Sequence, residues 1–348
     1  MAEVKLIAVG DGEDGTRLDR WLRRRWPDLG QTQIHKLARS GQIRVDGARV
    51  KADTRLAAGS MVRVPPLPDR PPPAARETVT AGDAAFARGL VLYEDDEVLA
   101  LNKPAGLAVQ GGTKTLHHID RLLSVWGEGL GRPRLTHRLD RDTSGVLILG
   151  KTPNAAAALS GAFARRRARK VYWAIVEGNP RPVEGTIDLP LIKMGVDDRE
   201  RMTPTDAKDP HGKAAVTEFV TVSRAGPRAA WLALSPRTGR THQLRAHMLA
   251  IGHPILGDPK YNTPQSIAAS GPLKLQLHAR RLTLPHPSRG VIDIEAPLSP
   301  EMQAGFARFG FEQAEADADP FAARGSAANP YRSPHTPPPR RTGPAEGG

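Results

Sequence analysis

The 348-residue chain predicts an α+β protein with a mainly antiparallel mixed central sheet, flanked by helices and loops, behind a small αα-β domain. Three observations predict it. Apolar runs of strand length recur between residues 90 and 294. The helical patterns among them do not alternate in the regular βαβ way that a parallel sheet requires. A Pro-rich stretch separates all of this from a front end holding two helical patterns and a hairpin.

Residues 1–14 read as an N-terminal segment. Thr16-Arg17-Leu18-Asp19 approximates a capping box with Asp in place of Glu, and Leu18, Trp21, Leu22 and Trp26 follow at helical spacing. Arg17, Arg20, Arg23, Arg24 and Arg25 fill much of the rest of that helix surface. A second helix is predicted from Gln31 to Arg39, with Ile34, Leu37 and Ala38 inward and Gly41 ending it. Ile43 and Val45 then alternate with polar residues up to an Asp46-Gly47 turn, and Val62 and Val64 mark one more strand. These elements define a domain over 15–66, followed by a Pro-rich linker over 67–88.

The large domain is assigned to 89–312. Leu90 to Tyr93 and Val98 to Leu101 flank an acidic turn, Val146 to Leu149 forms a buried run, and Asn154 to Arg167 reads as a helix. Further strands are predicted at Val171 to Val176, Thr217 to Val222, Ala230 to Leu234 and Val291 to Ile294. Gly195 to Lys213 reads as a surface insertion. Residues 313–348, rich in Pro, Ala and Arg, are predicted to be disordered.

Lys and Arg number 50 against 37 Asp and Glu, a net charge of +13. That balance points to a polyanionic partner, nucleic acid ahead of an acidic membrane. The chain has no cysteine, which excludes disulfides, thiolate nucleophiles, iron–sulfur clusters and cysteine-built zinc sites. The start lacks a signal-peptide h-region, and no apolar run approaches the ~18 residues of a membrane helix. A cytoplasmic monomer is the expectation.

Four segments concentrate functional residue types. They are Asn102-Lys103-Pro104-Ala105-Gly106-Leu107, Arg134 to Gly145, Arg169 to Gly178, and Thr238 to His247 continued by Gly252 to Tyr261. The second crowds Asp140, arginines, hydroxyls and a glycine into a loop ahead of a buried strand, the usual seat of chemistry. Ser144, His137 and Asp140 contain the residue types of a hydrolase triad, but members so close in sequence rarely face one another, and no G-x-S-x-G elbow exists. His137, His242 and His247 lack dense metal-ligand spacing, so no metal is expected. The run Arg165 to Lys170 is either an exposed helix end or a grip on RNA phosphates, the second being favoured.

His137-Arg138-Leu139-Asp140 with Thr143-Ser144-Gly145, and the tracts Thr238 to His247 and Gly252 to Tyr261, resemble the RluA family of RNA pseudouridine synthases in order and spacing. The front end resembles the S4 RNA-binding module through Arg17-Leu18-Asp19, Ser40 to Gly47 and Ala58 to Val64, although Leu29-Gly30-Gln31 replaces the Ser-Arg that often opens its second helix. Val109 to Thr113 is similar to the C-type large-subunit members. The resemblance implies an isomerase with no cofactor that flips uridines out of 23S ribosomal RNA. It implies Asp140 as the acting carboxylate, Arg245 as its partnering cation, and Tyr172 as the residue that stacks on uracil and assists removal of the C5 proton. Arg138 is implied to fill the space left by the flipped base, with His137, Arg240, His242 and Gln243 as further RNA contacts. Arg17, Arg20, Arg24, Lys36, Arg39 and Arg44 are the S4-type contacts. A tRNA substrate, or a non-catalytic RNA-binding assembly factor, are the alternatives.

Overall fold

A computed structural model describes residues 4–26, 29–67, 79–111, 117–195, 200–317, 319–321 and 331–332. The chain divides into two compact units, Met1–Thr78 and Val79–Gly348.

In the first unit, β1 (Lys5–Ala8), β2 (Arg44–Val45), β3 (Ala48–Arg49) and β4 (Met61–Val64) form an antiparallel sheet in the order β1-β4-β2-β3. Helices α1 (Leu18–Arg25) and α2 (Gln31–Arg39) bury Leu18, Trp21, Leu22 and Ile34 in a core shared with Ile43, Val62 and Val64. Both turn residues between β2 and β3 are left-handed, Asp46 at φ 49° and Gly47 at φ 79°, the pairing a two-residue hairpin turn favours. Two expectations need correction. Residues 1–14 are not a separate segment, because β1 pairs along β4 and Ile7 packs on the core. The capping box does not form either: Arg17 is the N-cap, with no side-chain cap. Asp19 instead turns inward, accepting bonds from Arg17, Gln31 and the Arg20 N–H.

The second unit opens with α3 (Ala81–Gly89), inside the stretch assigned to a linker. Thr80 and Asp83 cap it reciprocally, a signal that the neighbouring prolines masked. Residues 68–78 of that linker lie outside the described residues. Then follow β5 (Val91–Glu94), β6 (Val98–Lys103), α4 (Ile119–Leu122), β7 (Arg134–Leu135), β8 (Ser144–Gly150), α5 (Pro153–Ala164), β9 (Arg169–Glu177) and β10 (Glu184–Asp188). The hairpin β11 (Leu191–Met194) and β12 (Arg201–Pro204) gives part of the expected surface insertion a regular structure. Next come β13 (Val216–Ala225), β14 (Ala229–Pro236), α6 (Gln243–Ala250), α7 (Pro264–Ser270), β15 (Leu277–Pro285), β16 (Val291–Glu295), α8 (Pro300–Phe309) and β17 (Tyr331–Arg332).

The main sheet runs β17-β10-β13-β14-β9-β15-β8-β6-β5, with β7 and β16 attached at its sides. Its pairings are antiparallel except β15 with β8 and β10 with β17. At the β8–β15 contact the backbones nearly touch. Gly145 has φ 111°, and a Cβ there would sit 2.2 Å from the Ala279 carbonyl oxygen, so only glycine fits. Helix α5 stops at Ala164, three residues earlier than predicted.

The tail is not disordered throughout. Phe321 packs on the cluster of Trp231 and Phe306, Asp319 pairs with Arg169, and Tyr331–Arg332 lies along β10. These contacts are made by isolated residues in a polar stretch, which composition averages away. Residues 322–330 and 333–348 lie outside the described residues. Among the described residues, no helix is long and apolar enough to cross a membrane.

Candidate active site

A cavity of about 500 Å³ opens on the second unit, within the range of small-molecule sites. His137, Arg138, Asp140, Tyr172, Arg240 and Arg245 are among its walls. They come from the β7–β8 loop, from β9, from the β14–α6 loop and from the first turn of α6.

The loop carrying Asp140 is tied down from below. Thr143 N–H donates to the Asp140 carbonyl at 3.2 Å. The next carbonyl, of Arg141, accepts from the Gly106 N–H and from Lys103 Nζ, both at 2.9 Å. The Lys103 side chain, at the end of β6, is wholly buried, and its ammonium donates also to the Pro104 and Leu107 carbonyls at 2.8 Å each. Burial drives its pKa down to about 7, against the opposing charges of Asp142 and Asp140. One buried cation therefore fastens the 102–107 turn to the residue beside Asp140. The sequence alone assigns Lys103 no role. The available signal was a lysine ending an apolar strand.

Tyr172 lies in β9 opposite Leu234 of β14 and Ala279 of β15. It packs against two separate apolar clusters, one around Leu101 and Leu147, the other around Leu232 and Leu244. Burial, and then the charge of Asp140, raises its pKa above the ordinary tyrosine value. At neutral pH the phenol is protonated, so it can stack and donate a hydrogen bond.

Arg245 is bound to a second carboxylate. Its Nε and Nη2 both donate to Asp258, at 2.6 Å each, in a pair whose side chains are 4% and 0% exposed. Asp140 acts on Arg245 through its charge, while the hydrogen-bonded partner is Asp258. Asp258 Oδ1 accepts the N–H groups of Lys260 and Tyr261 as well. Arg245 further lies 5.0 Å from the Tyr261 ring centre, a cation–π contact. Nothing local in the sequence links positions 245 and 258, so the Gly257-Asp258-Pro259 tract carries no sign of this support.

The other predicted contacts divide. Arg138 and Arg240 are exposed at the cavity, Arg240 donating to the Ala214 carbonyl. His242 sits at the N-cap of α6 in the left-handed region, φ 50°, with Nδ1 3.1 Å from the Tyr261 hydroxyl. His137 is a wall: Nε2 accepts the Ile148 N–H, its ring lies 4.5 Å from Phe163, and burial lowers its pKa to about 3. Gln243 also lines the cavity, with its amide engaged within the protein. It is buried, accepting from Thr238 and the Arg240 N–H and donating to the Val216 carbonyl and Thr217. Ser144 pairs with His278, 2.9 Å away inside the sheet, and not with His137. In the first unit Arg17 is paired with Asp19, and Arg44 holds the Gly41 and Gly47 carbonyls of its own hairpin. Arg20, Arg24, Lys36 and Arg39 are exposed.

Residues 97–250 match a family described as RNA pseudouridylate synthase. The ribosomal large subunit pseudouridine synthase C of Vibrio vulnificus is 33% identical over 306 residues, covering 86% of this chain and 95% of that protein. That of Escherichia coli K12 is 35% identical over 303 residues, covering 85% and 93%. Among solved structures, human RNA pseudouridylate synthase domain containing 4 superposes with a TM-score of 0.56 at 27% identity, covering 67% of this chain and 98% of that one.

Proposed function

The chain belongs to the RNA pseudouridylate synthase family, and from that premise we propose that it isomerises uridines in large-subunit ribosomal RNA, with Asp140 as the reacting carboxylate. The reaction breaks the bond between ribose C1′ and uracil N1 and joins C1′ to C5. The C5 proton is then lost, and N1 ends protonated, so nothing enters or leaves overall.

The uridine has to leave its stack to reach the cavity. Asp140 serves the electron-deficient C1′ as the glycosidic bond breaks. The Lys103 clamp fixes where that carboxylate stands, which matters because small displacements of a reacting group cost large factors in rate. Tyr172, protonated, is a platform and donor for the freed uracil while it turns. Arg245, held by Asp258, supplies fixed positive charge near Asp140. In the first unit, Arg20, Arg24, Lys36 and Arg39 present an S4-type cationic face to RNA phosphates.

The observation that carries the reading is that positions 140, 172 and 245, from three distant segments, line one cavity. The test is Asp140→Asn with rRNA tritiated at uracil C5. The variant is expected to release no tritium while binding the RNA within a few-fold of wild type. Release at the wild-type rate would refute Asp140's role. Mapping pseudouridines in a deletion strain tests the substrate: lost large-subunit sites support it, whereas lost tRNA sites, or none, overturn it.

A further inference from the structure

The segment joining α5 to β9 departs from a preference that the ends of α2 and α8 keep. Helix α5 ends in a Schellman motif: the Arg167 N–H donates to the Ala162 carbonyl and the Arg166 N–H to the Phe163 carbonyl, at 2.9 and 3.1 Å. The residue between has to be left-handed, and glycine is the usual occupant. Gly41 after α2 and Gly310 after α8 follow that preference, at φ 73° and 72°. After α5 the residue is Arg166, at φ 57°. A β-carbon in this conformation is strained, and observed strain of this kind at a site wall is a pointer to function.

Arg166 is exposed on the cavity wall, with no hydrogen bond or ion pair from its side chain among the described residues. Four residues on, Lys170 lines the same cavity. It lies two positions before Tyr172 in β9, hence on the same face of the strand. Among the described residues, Lys170 has no carboxylate partner, and its one hydrogen bond is a long one, 3.4 Å, to the Thr238 carbonyl. Burial lowers its pKa to about 8. By contrast Arg237, on the same wall, is already neutralised by Glu218 at 2.8 Å. A half-buried ammonium without an anion is unfavourable in the free protein. Arg166 and Lys170 thus combine two unfavourable features on one wall, and both are relieved by an anion in the cavity.

We propose that Arg166 and Lys170 form a clamp for a backbone phosphate of the extracted uridine. The proposal rests on the reading of the cavity as the uridine site, since a flipped nucleotide brings its flanking phosphates with it. Uracil is neutral when it enters, so the phosphodiester is the anion that the substrate supplies. Arginine and lysine differ usefully here, one gripping two oxygens in a fork and the other acting as a point charge.

The test uses full-length Arg166→Gly and Lys170→Met. Binding to a large-subunit rRNA transcript is measured from about 50 to 200 mM salt, alongside melting temperature. Each variant is expected to melt at or above wild type, because one removes a strained backbone and the other an unpaired charge. Each is expected to bind roughly tenfold more weakly, with the slope of log K against log[salt] reduced by about 0.7–0.9. Arg166→Lys and Lys170→Arg are expected to retain the wild-type slope. Wild-type slopes in both Arg166→Gly and Lys170→Met overturn the clamp, whatever their melting temperatures. Because binding is read without turnover, a wild-type protein that forms no pseudouridine in this RNA counts against the proposed function and leaves the slopes to judge the clamp.

Discussion

Asp258→Asn is the sharpest probe of the support behind the cavity. The amide oxygen can keep the Lys260 and Tyr261 N–H groups, as Oδ1 does now. The amide nitrogen then faces Arg245 Nε, donor against donor, where Oδ2 accepts at 2.6 Å. Arg245 becomes a buried cation without its hydrogen-bonded counter-charge. Removing one partner from such a pair costs about 3–5 kcal/mol. For a unit of this size that is a melting shift of about 6–20 °C, against a total stability on the order of 5–15 kcal/mol. The assay is thermal unfolding followed by circular dichroism, with pseudouridine formation measured well below the variant's melting temperature. Adding Arg245→Met to Asp258→Asn removes the stranded charge and is expected to recover part of the lost stability, but no activity. If Asp258→Asn melts within about 2 °C of wild type, too small a change for a broken buried pair, the argument for this ion pair fails.

Acid should destabilise the fold before its carboxylates protonate. Burial lowers the pKa of His137 to about 3 and of His247 and His278 to about 4. The unfolded chain, with histidines near ~6.5, takes up protons first, so stability is lost as pH falls from about 6.5 towards 4, by up to ~4 kcal/mol per pH unit for the three together. Urea midpoints at pH 7.5, 6 and 5 check this, and a flat profile contradicts it. Thr143 lines the cavity, and its buried hydroxyl has no partner among the described residues. Thr143→Val is expected to leave the melting temperature unchanged or higher and to lower kcat/KM roughly tenfold, as for a lost substrate hydrogen bond. Unaltered kinetics would make that hydroxyl a packing residue.

Legibility in the sequence followed how local each cause was. Helix α2 was read to the residue, because its apolar positions repeat regularly and Gly41 ends it. Helix α6 was not read as an element, since Gln243, Arg245 and His247 are buried polar residues that erase its amphipathic pattern. Strand β15 escaped because His278, Arg280 and Arg281 interrupt its apolar run, although it is buried at the centre of the sheet. The cavity's wall residues were legible through the order and spacing of their motifs. Their partners were not: Asp258 for Arg245, His278 for Ser144 and the carbonyls around Lys103 are products of tertiary pairing, which leaves no trace in local composition.

The strand order has a consequence for how the protein is made. Strand β15 lies between β9 and β8, yet both of those, and every other interior strand of the sheet, precede it in the chain. The ribosome therefore delivers two half-sheets whose facing edges stay open until residues 277–285 emerge. Non-local pairing of this kind is slow, and open edges invite aggregation in the interval. A chain truncated after Tyr261 would carry Asp140, Tyr172, Arg245 and Asp258, but the strand that joins their two halves would be missing. The walls carried by the two halves are joined in one sheet only once residues 277–285 are in place.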